Sequence, residues 1–198
     1  MAGPHESLEH AEHAEHASHG GNKKIALLIA VLALFLAFSE TLGKSAQTAA
    51  ISDNVEASNL WAFFQAKTIR MTVVRTAADN LQIVADATDN PAAKASMLKL
   101  VEGWKKTAAR YDDEPDTHEG RKQLAERAKE AEEKRELVMA RYHNYEIASA
   151  ALQIGIVLAS AQVITGMVVL GWMAGGMGLI GVLFMAVGLW APHAIHLG

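Results

Sequence analysis

Apolar and small residues recur along the second half of the chain at alternating steps of four and three. The series starts at Leu124, Ala128 and Ala131, passes Arg135, Val138, Tyr142 and Tyr145, and continues through Leu152, Ile156, Ala159 and Val163 to Gly166 and Leu170. That spacing is the seam of a helix packing on other helices at a shallow angle. No proline interrupts residues 121–172. We read them as one helix, roughly 75 Å long at 1.5 Å per residue. Its first half is densely charged, from Arg121 to Glu136, and its second half, from Ile147 onward, carries no charge. The pattern predicts a helix that begins in water and ends in lipid, since about 24 apolar residues suffice to cross a bilayer.

Two further apolar runs flank this picture. Ile25 to Leu42 has no polar face before Ser39 and predicts a first transmembrane helix, within residues 23–43. The second span occupies residues 147–171. Gly171 to Gly176 predicts a tight turn, followed by a third span over residues 173–191 and a short tail over 192–198. Tyr142, Tyr145 and Trp190 mark one membrane interface and Trp172 the other.

Between the first two spans, residues 44–146 read as a polar helical stalk. No glycine or proline occurs from Lys44 to Asp89, and an apolar series runs Leu60, Phe64, Met71, Val74, Ala78, Leu81 and Ala85, interrupted at Lys67. Asn90-Pro91 supplies an N-cap and a first helical position for the next helix. That helix places Met97, Leu100, Val101, Trp104, Ala108 and Tyr111 on one face. Asp112 to Asp116, with Pro115, is a breaker; it lacks the glycine and glutamate spacing of a calcium loop. The outgoing arm and the returning pieces match in length at about 70 Å each. The predicted fold is therefore all-α: three transmembrane helices plus a long antiparallel, coiled-coil-like stalk.

Composition narrows the chemistry. The 198 residues carry a net charge of −4 and no cysteine. Disulfides, thiolate metal sites and cysteine nucleophiles are excluded, and no basic stripe suggests nucleic acid. No Ser-His-Asp set, phosphate loop or HExxH helix is present, so catalysis and cofactors are not expected. Residues 1–22 form a His/Glu-rich tail in which His10, His13, His16 and His19 recur every third residue. Imidazoles beside carboxylates can bind zinc, nickel or copper; a solvated low-complexity tail is the alternative. Glu40, Gln153 and Gln162 are the polar groups of interest in or beside the spans. The two glutamines serve either helix–helix hydrogen bonds or a polar path, and Glu40, at the predicted interface, is either a functional carboxylate or one that snorkels to water. Gly155 and Ala159 provide a small-residue packing row, and Trp61, Phe63 and Phe64 an aromatic cluster that a two-armed stalk leaves partly exposed. These features predict a multi-pass membrane protein that assembles with itself as a scaffold or pore, embedded in a lipid bilayer. An unidentified membrane-protein partner could occupy the same surface. A metal-binding or metal-transport accessory role resting on the histidine tail is the alternative.

Three stretches resemble a known family: EHAEHAEH (Glu9 to His16), NVEASNLWAFFQAKTIR (Asn54 to Arg70) and YEIASAALQIGIVLASAQVIT (Tyr145 to Thr165). The chain is similar over nearly its whole length to an uncharacterised bacterial multi-pass membrane protein family, number 4337 in the series of domains of unknown function. The resemblance implies a helical protein of the bacterial inner membrane. It implies no activity, cofactor or catalytic residue.

Overall fold

A computed structural model describes residues 23–194. Four helices account for nearly all of them: α1 (Lys23–Asp86), α2 (Pro91–Asp112), α3 (Arg121–Thr165) and α4 (Val168–Trp190). Among the described residues there is no strand. Three of the helices, α1, α3 and α4, are long and apolar enough to cross a membrane. The chain divides into two compact units. One is built from residues 23–51 and 135–194, the other from Ser52–Lys134.

The first unit packs the start of α1, the end of α3 and all of α4. Its core is Ile29, Leu32, Leu36, Leu152, Ile156, Ala159 and Ala174. The expected seam of α3 is buried here at Tyr145, Leu152, Ile156 and Ala159. Small residues set the spacing. A Cβ on Gly155 would lie 3.2 Å from the Ala174 carbonyl and 3.3 Å from Leu32 Cδ1. One on Gly181 would press on Leu152 Cγ at 2.6 Å. Such close backbone approach is how apolar helices gain packing where no water is displaced. Most of each span nevertheless faces outward: only 22%, 39% and 17% of the most apolar stretches of α1, α3 and α4 is buried.

The turn between the last two spans lies earlier than the sequence suggested. α3 ends at Thr165, and α4 already begins at Val168. Gly166 adopts a φ of +71° and its N–H donates to the Gln162 carbonyl at 2.9 Å. This is the left-handed cap that glycine alone enters at no steric cost. Gly171, Gly175 and Gly176 instead stay inside α4. In an apolar helix a glycine without a cap around it is tolerated as packing surface, so its presence is a poor break signal. Gly166 is exposed and Leu170 only half-buried, so the seam ends before them.

The second unit is an antiparallel arrangement of α1 with α2 and α3. Buried Ala57 and Leu60 meet Leu124, Ala128 and Ala131, with Trp61 and Phe64 packed beside them. Further along α1 the expected series is buried at Lys67, Met71, Ala78 and Ala85. α2 opens as expected: Asn90 Oδ1 accepts from the N–H groups of Ala92 and Ala93 at 3.0 and 3.3 Å, with Pro91 at the first position. On α2, Val101 and Ala108 are buried, whereas Leu100 is exposed. Leu100 and Val101 lie about 100° apart on the helix, and the narrow contact with α1 takes only one of them.

Candidate functional site

Two clusters concentrate the polar chemistry, one in each unit. In the first unit, Ser39 Oγ donates to the Tyr145 carbonyl at 2.9 Å, and both residues are buried. One residue further on, Glu40 meets Gln153, whose Nε2 donates to Oε1 at 3.5 Å. Asn144, fully buried, donates through Nδ2 to the Ala140 and Pro192 carbonyls at 2.8 and 3.2 Å. Asn144 thus ties the segment just after α4 to α3. Gln162 is also buried, against Gly171, where a Cβ would collide with its amide. Its Oε1 has no hydrogen-bond partner among the described residues.

Nine residues apart, Gln153 and Gln162 lie on opposite sides of α3 and have separate surroundings. Gln153 faces α1 through Glu40; Gln162 lies on α4. The four polar residues Ser39, Glu40, Asn144 and Gln153 contact neighbouring helices or chain ends of the same bundle. Gly155 and Ala159 are likewise buried within this bundle, against α1 and α4.

The second cluster centres on Lys67, the residue that interrupts the apolar series of α1. It is only 5% exposed. Its Nζ lies 3.6 Å from Glu114 and 3.7 Å from Glu119, and 5.5 and 5.4 Å from the ring centres of Phe63 and Tyr111. A buried ammonium needs such compensation, because desolvation otherwise outweighs packing. Both carboxylates lie in the link between α2 and α3, Glu114 in the acidic breaker and Glu119 just after it, and the link is therefore held onto α1. Arg121 completes the arrangement. Its Nε donates to Thr68 Oγ1 and its Nη1 to Asp112 Oδ1, both at 2.8 Å, while Cζ lies 5.0 Å from the Phe64 ring centre.

Phe64 also takes Trp61 edge-on, with 5.4 Å between ring centres, and Trp61 Nε1 donates to Glu132 at 2.8 Å. Of the expected aromatic cluster, Trp61 and Phe64 are half-buried and Phe63 is exposed. Phe63 borders an open groove of about 540 Å³ with Val55, Asn59 and Arg127. Asp113 closes the breaker: Gln123 and then Lys122 donate to it, and these contacts hold its carboxyl below the ordinary range. Asp113 in turn holds Lys122 above the ordinary ammonium value.

No group of three or more His, Asp or Glu side chains among the described residues is arranged to hold a metal. His10, His13, His16 and His19 lie outside the described residues. The sequence carried no signal for the Lys67 cage beyond the interrupted seam and the acidic breaker that turns out to answer it.

A family model described as a domain of unknown function, DUF4337, matches residues 21–191. The chain belongs to the DUF4337 family. The matched stretch contains all four helices of this DUF4337 chain, and both polar clusters with them; the histidines of the tail fall before it. No curated protein and no solved structure matches the chain.

Proposed function

We propose that this DUF4337 protein is a multi-pass helical scaffold of the bacterial inner membrane that assembles with copies of itself, without catalytic activity of its own. One observation carries the reading. The Ser52–Lys134 unit, rich in charge, exposes Val55, Phe63, Ile69, Val73, Ile83 and Val84, all on α1. A water-facing helix does not keep so many large apolar side chains uncovered without a partner. The bilayer accounts for the outward faces of the apolar spans, but not for these.

Four polar residues of the first unit favour a scaffold over a pore, although buried Gln162 keeps an Oε1 unpartnered among the described residues. Ser39, Glu40, Asn144 and Gln153 are engaged with groups of the same bundle, which suits interhelical bonding rather than the lining of a path. The test is the mass of the full-length protein in detergent micelles and in nanodiscs, by light scattering with the lipid and detergent share subtracted. A closed assembly of two or more chains is expected. A monomer in both media, at concentrations reached in native membranes, refutes the proposal.

A further inference from the structure

A second seam runs along α1, on the side turned away from α2 and α3. Let the buried series Ala57, Leu60, Phe64, Lys67 and Met71 define heptad positions a and d; the outward positions are then c and f. The c positions are Ser52, Asn59, Ala66, Val73 and Asn80, and the f positions Val55, Ala62, Ile69, Thr76 and Ile83. None of the ten is charged. Residues 52–86 carry seven charged side chains, Asp53, Glu56, Lys67, Arg70, Arg75, Asp79 and Asp86, and each occupies b, d, e or g. In a helix packed on one side only, charge belongs at c and f. α3 obeys that rule: on its own frame, c and f between 122 and 134 are Gln123, Glu126, Glu130 and Glu133. On α1 the large members of the seam stand in the open, Val55 52% exposed, Ile69 65%, Val73 61% and Ile83 68%.

We infer that this seam is where two copies of the chain meet, α1 against α1, parallel and in register. The inference deepens the self-assembly reading and rests on it. The uncharged positions extend over roughly four and a half heptads, and Val55, Ala62, Ala66, Ile69, Val73 and Ile83 are their apolar members, the length and spacing over which a coiled coil is sustained. The partner is therefore a helix with the same period. Copies inserted in one membrane with one topology have their α1 helices running in the same direction. Each seam residue then faces its own counterpart. Asn59 and Asn80 occupy the positions of the new seam equivalent to a, where asparagine opposite asparagine fixes register and favours two strands. The flanking pairs this register creates include Ile51 with Glu56, Gln65 with Arg70, and Asp79 with Val84, so no like charges oppose one another. The groove beside Val55, Asn59 and Phe63 borders the start of the seam and receives the partner's flank.

The chain has no cysteine, so any introduced thiol is unique. The test places Ala62→Cys or Thr76→Cys on the seam and Arg75→Cys or Lys129→Cys off it, all at exposed positions of the full-length protein. Native membranes are oxidised with copper-phenanthroline and resolved without reductant. A disulfide needs Cα atoms within about 7 Å, so roughly tenfold more dimer is expected from the two seam positions than from the two controls. Ile69→Glu with Val73→Glu, added to Ala62→Cys, places carboxylates opposite their own copies and abolishes that dimer at unchanged helix content. Equal cross-linking at seam and control positions overturns the inference. So does absence of cross-linking at Ala62→Cys and Thr76→Cys in a protein that is multimeric by mass, which leaves self-assembly standing on another surface. A monomeric mass with no cross-link anywhere overturns both.

Discussion

Replacing Lys67 with methionine tests how the breaker between α2 and α3 is held. Methionine keeps most of the stem volume and removes the charge, so the loss is electrostatic rather than a cavity. Four contacts disappear. Glu119 is half exposed and its contact contributes little, about 0–0.5 kcal/mol. Glu114 is more buried and loses about 1 kcal/mol, less than the 3–5 kcal/mol of an orphaned buried charge, because Arg110 remains 3.5 Å away. The Phe63 and Tyr111 rings together add about 1 kcal/mol. These losses sum to about 2–2.5 kcal/mol, and because methionine also removes the desolvation cost of the buried ammonium, the sum is the upper bound of the local opening. In hydrogen exchange on the full-length protein in detergent, the amides of residues 113, 114 and 116–120 should exchange faster, by up to about 60-fold, since 1.4 kcal/mol is a factor of ten. Amides in residues 147–165 should not change. A double-mutant cycle with Glu114→Gln should give a coupling near 1 kcal/mol. Unaltered exchange over 113–120 together with coupling below about 0.3 kcal/mol refutes the account, because the cage would then be a crowded surface without energetic weight.

Gly181→Val should lower thermal stability in detergent markedly, since its Cβ meets Leu152 and the Ala148 carbonyl, whereas Gly175→Ala, with open space around it, should be neutral; equal melting of the two would contradict the packing described. Asn144→Ala removes the bond to Pro192 and should expose the segment after α4 to limited proteolysis, at a cost of about 1 kcal/mol. Asp113 has a lowered folded-state pKa, so its contribution is present above the ordinary carboxylate value and is lost as pH falls through the folded one; its carboxyl resonance should titrate below the ordinary carboxylate range, and Gln123→Ala or Lys122→Ala should move the midpoint back up. Deleting residues 1–22 should abolish retention on immobilised nickel, and retention unchanged by the deletion would place metal affinity elsewhere.

The long seams were legible because heptad spacing over thirty or more residues leaves few alternatives. Leu60, Met71 and Ala78 on α1 and Leu124, Leu152 and Ile156 on α3 are buried where their spacing put them. The cap at Asn90 and the breaker after Asp112 were legible for the same local reasons. The turn at Gly166 was not. Its signal is one glycine in an apolar run, and four more glycines close behind compete with it. Nor were the pairs Glu40–Gln153 and Lys67–Glu114 readable, since each joins residues that only the packing of distant helices brings together. The interruption of a seam by Lys67 marked a place that needed partners, but spacing alone does not name them. The uncharged outer positions of α1 were also present in the sequence. They became informative only once the burial of the inner seam defined which side of α1 faces out.

The two-residue link between α3 and α4 has a consequence for how the protein reaches its final orientation. From Ile147 to Pro192 there is no Lys, Arg, Asp or Glu. A hairpin of this kind carries no ionic ballast across the lipid when it inserts, so nothing within it resists translocation or prefers one face. In a bilayer, sidedness therefore falls to the cations that flank the apolar segments: Lys23 and Lys24 ahead of the first, Lys44 behind it, and Arg135 and Arg141 ahead of the hairpin. In a bilayer, shifting that balance by a few charges would favour the opposite orientation without any change in the hairpin's own sequence.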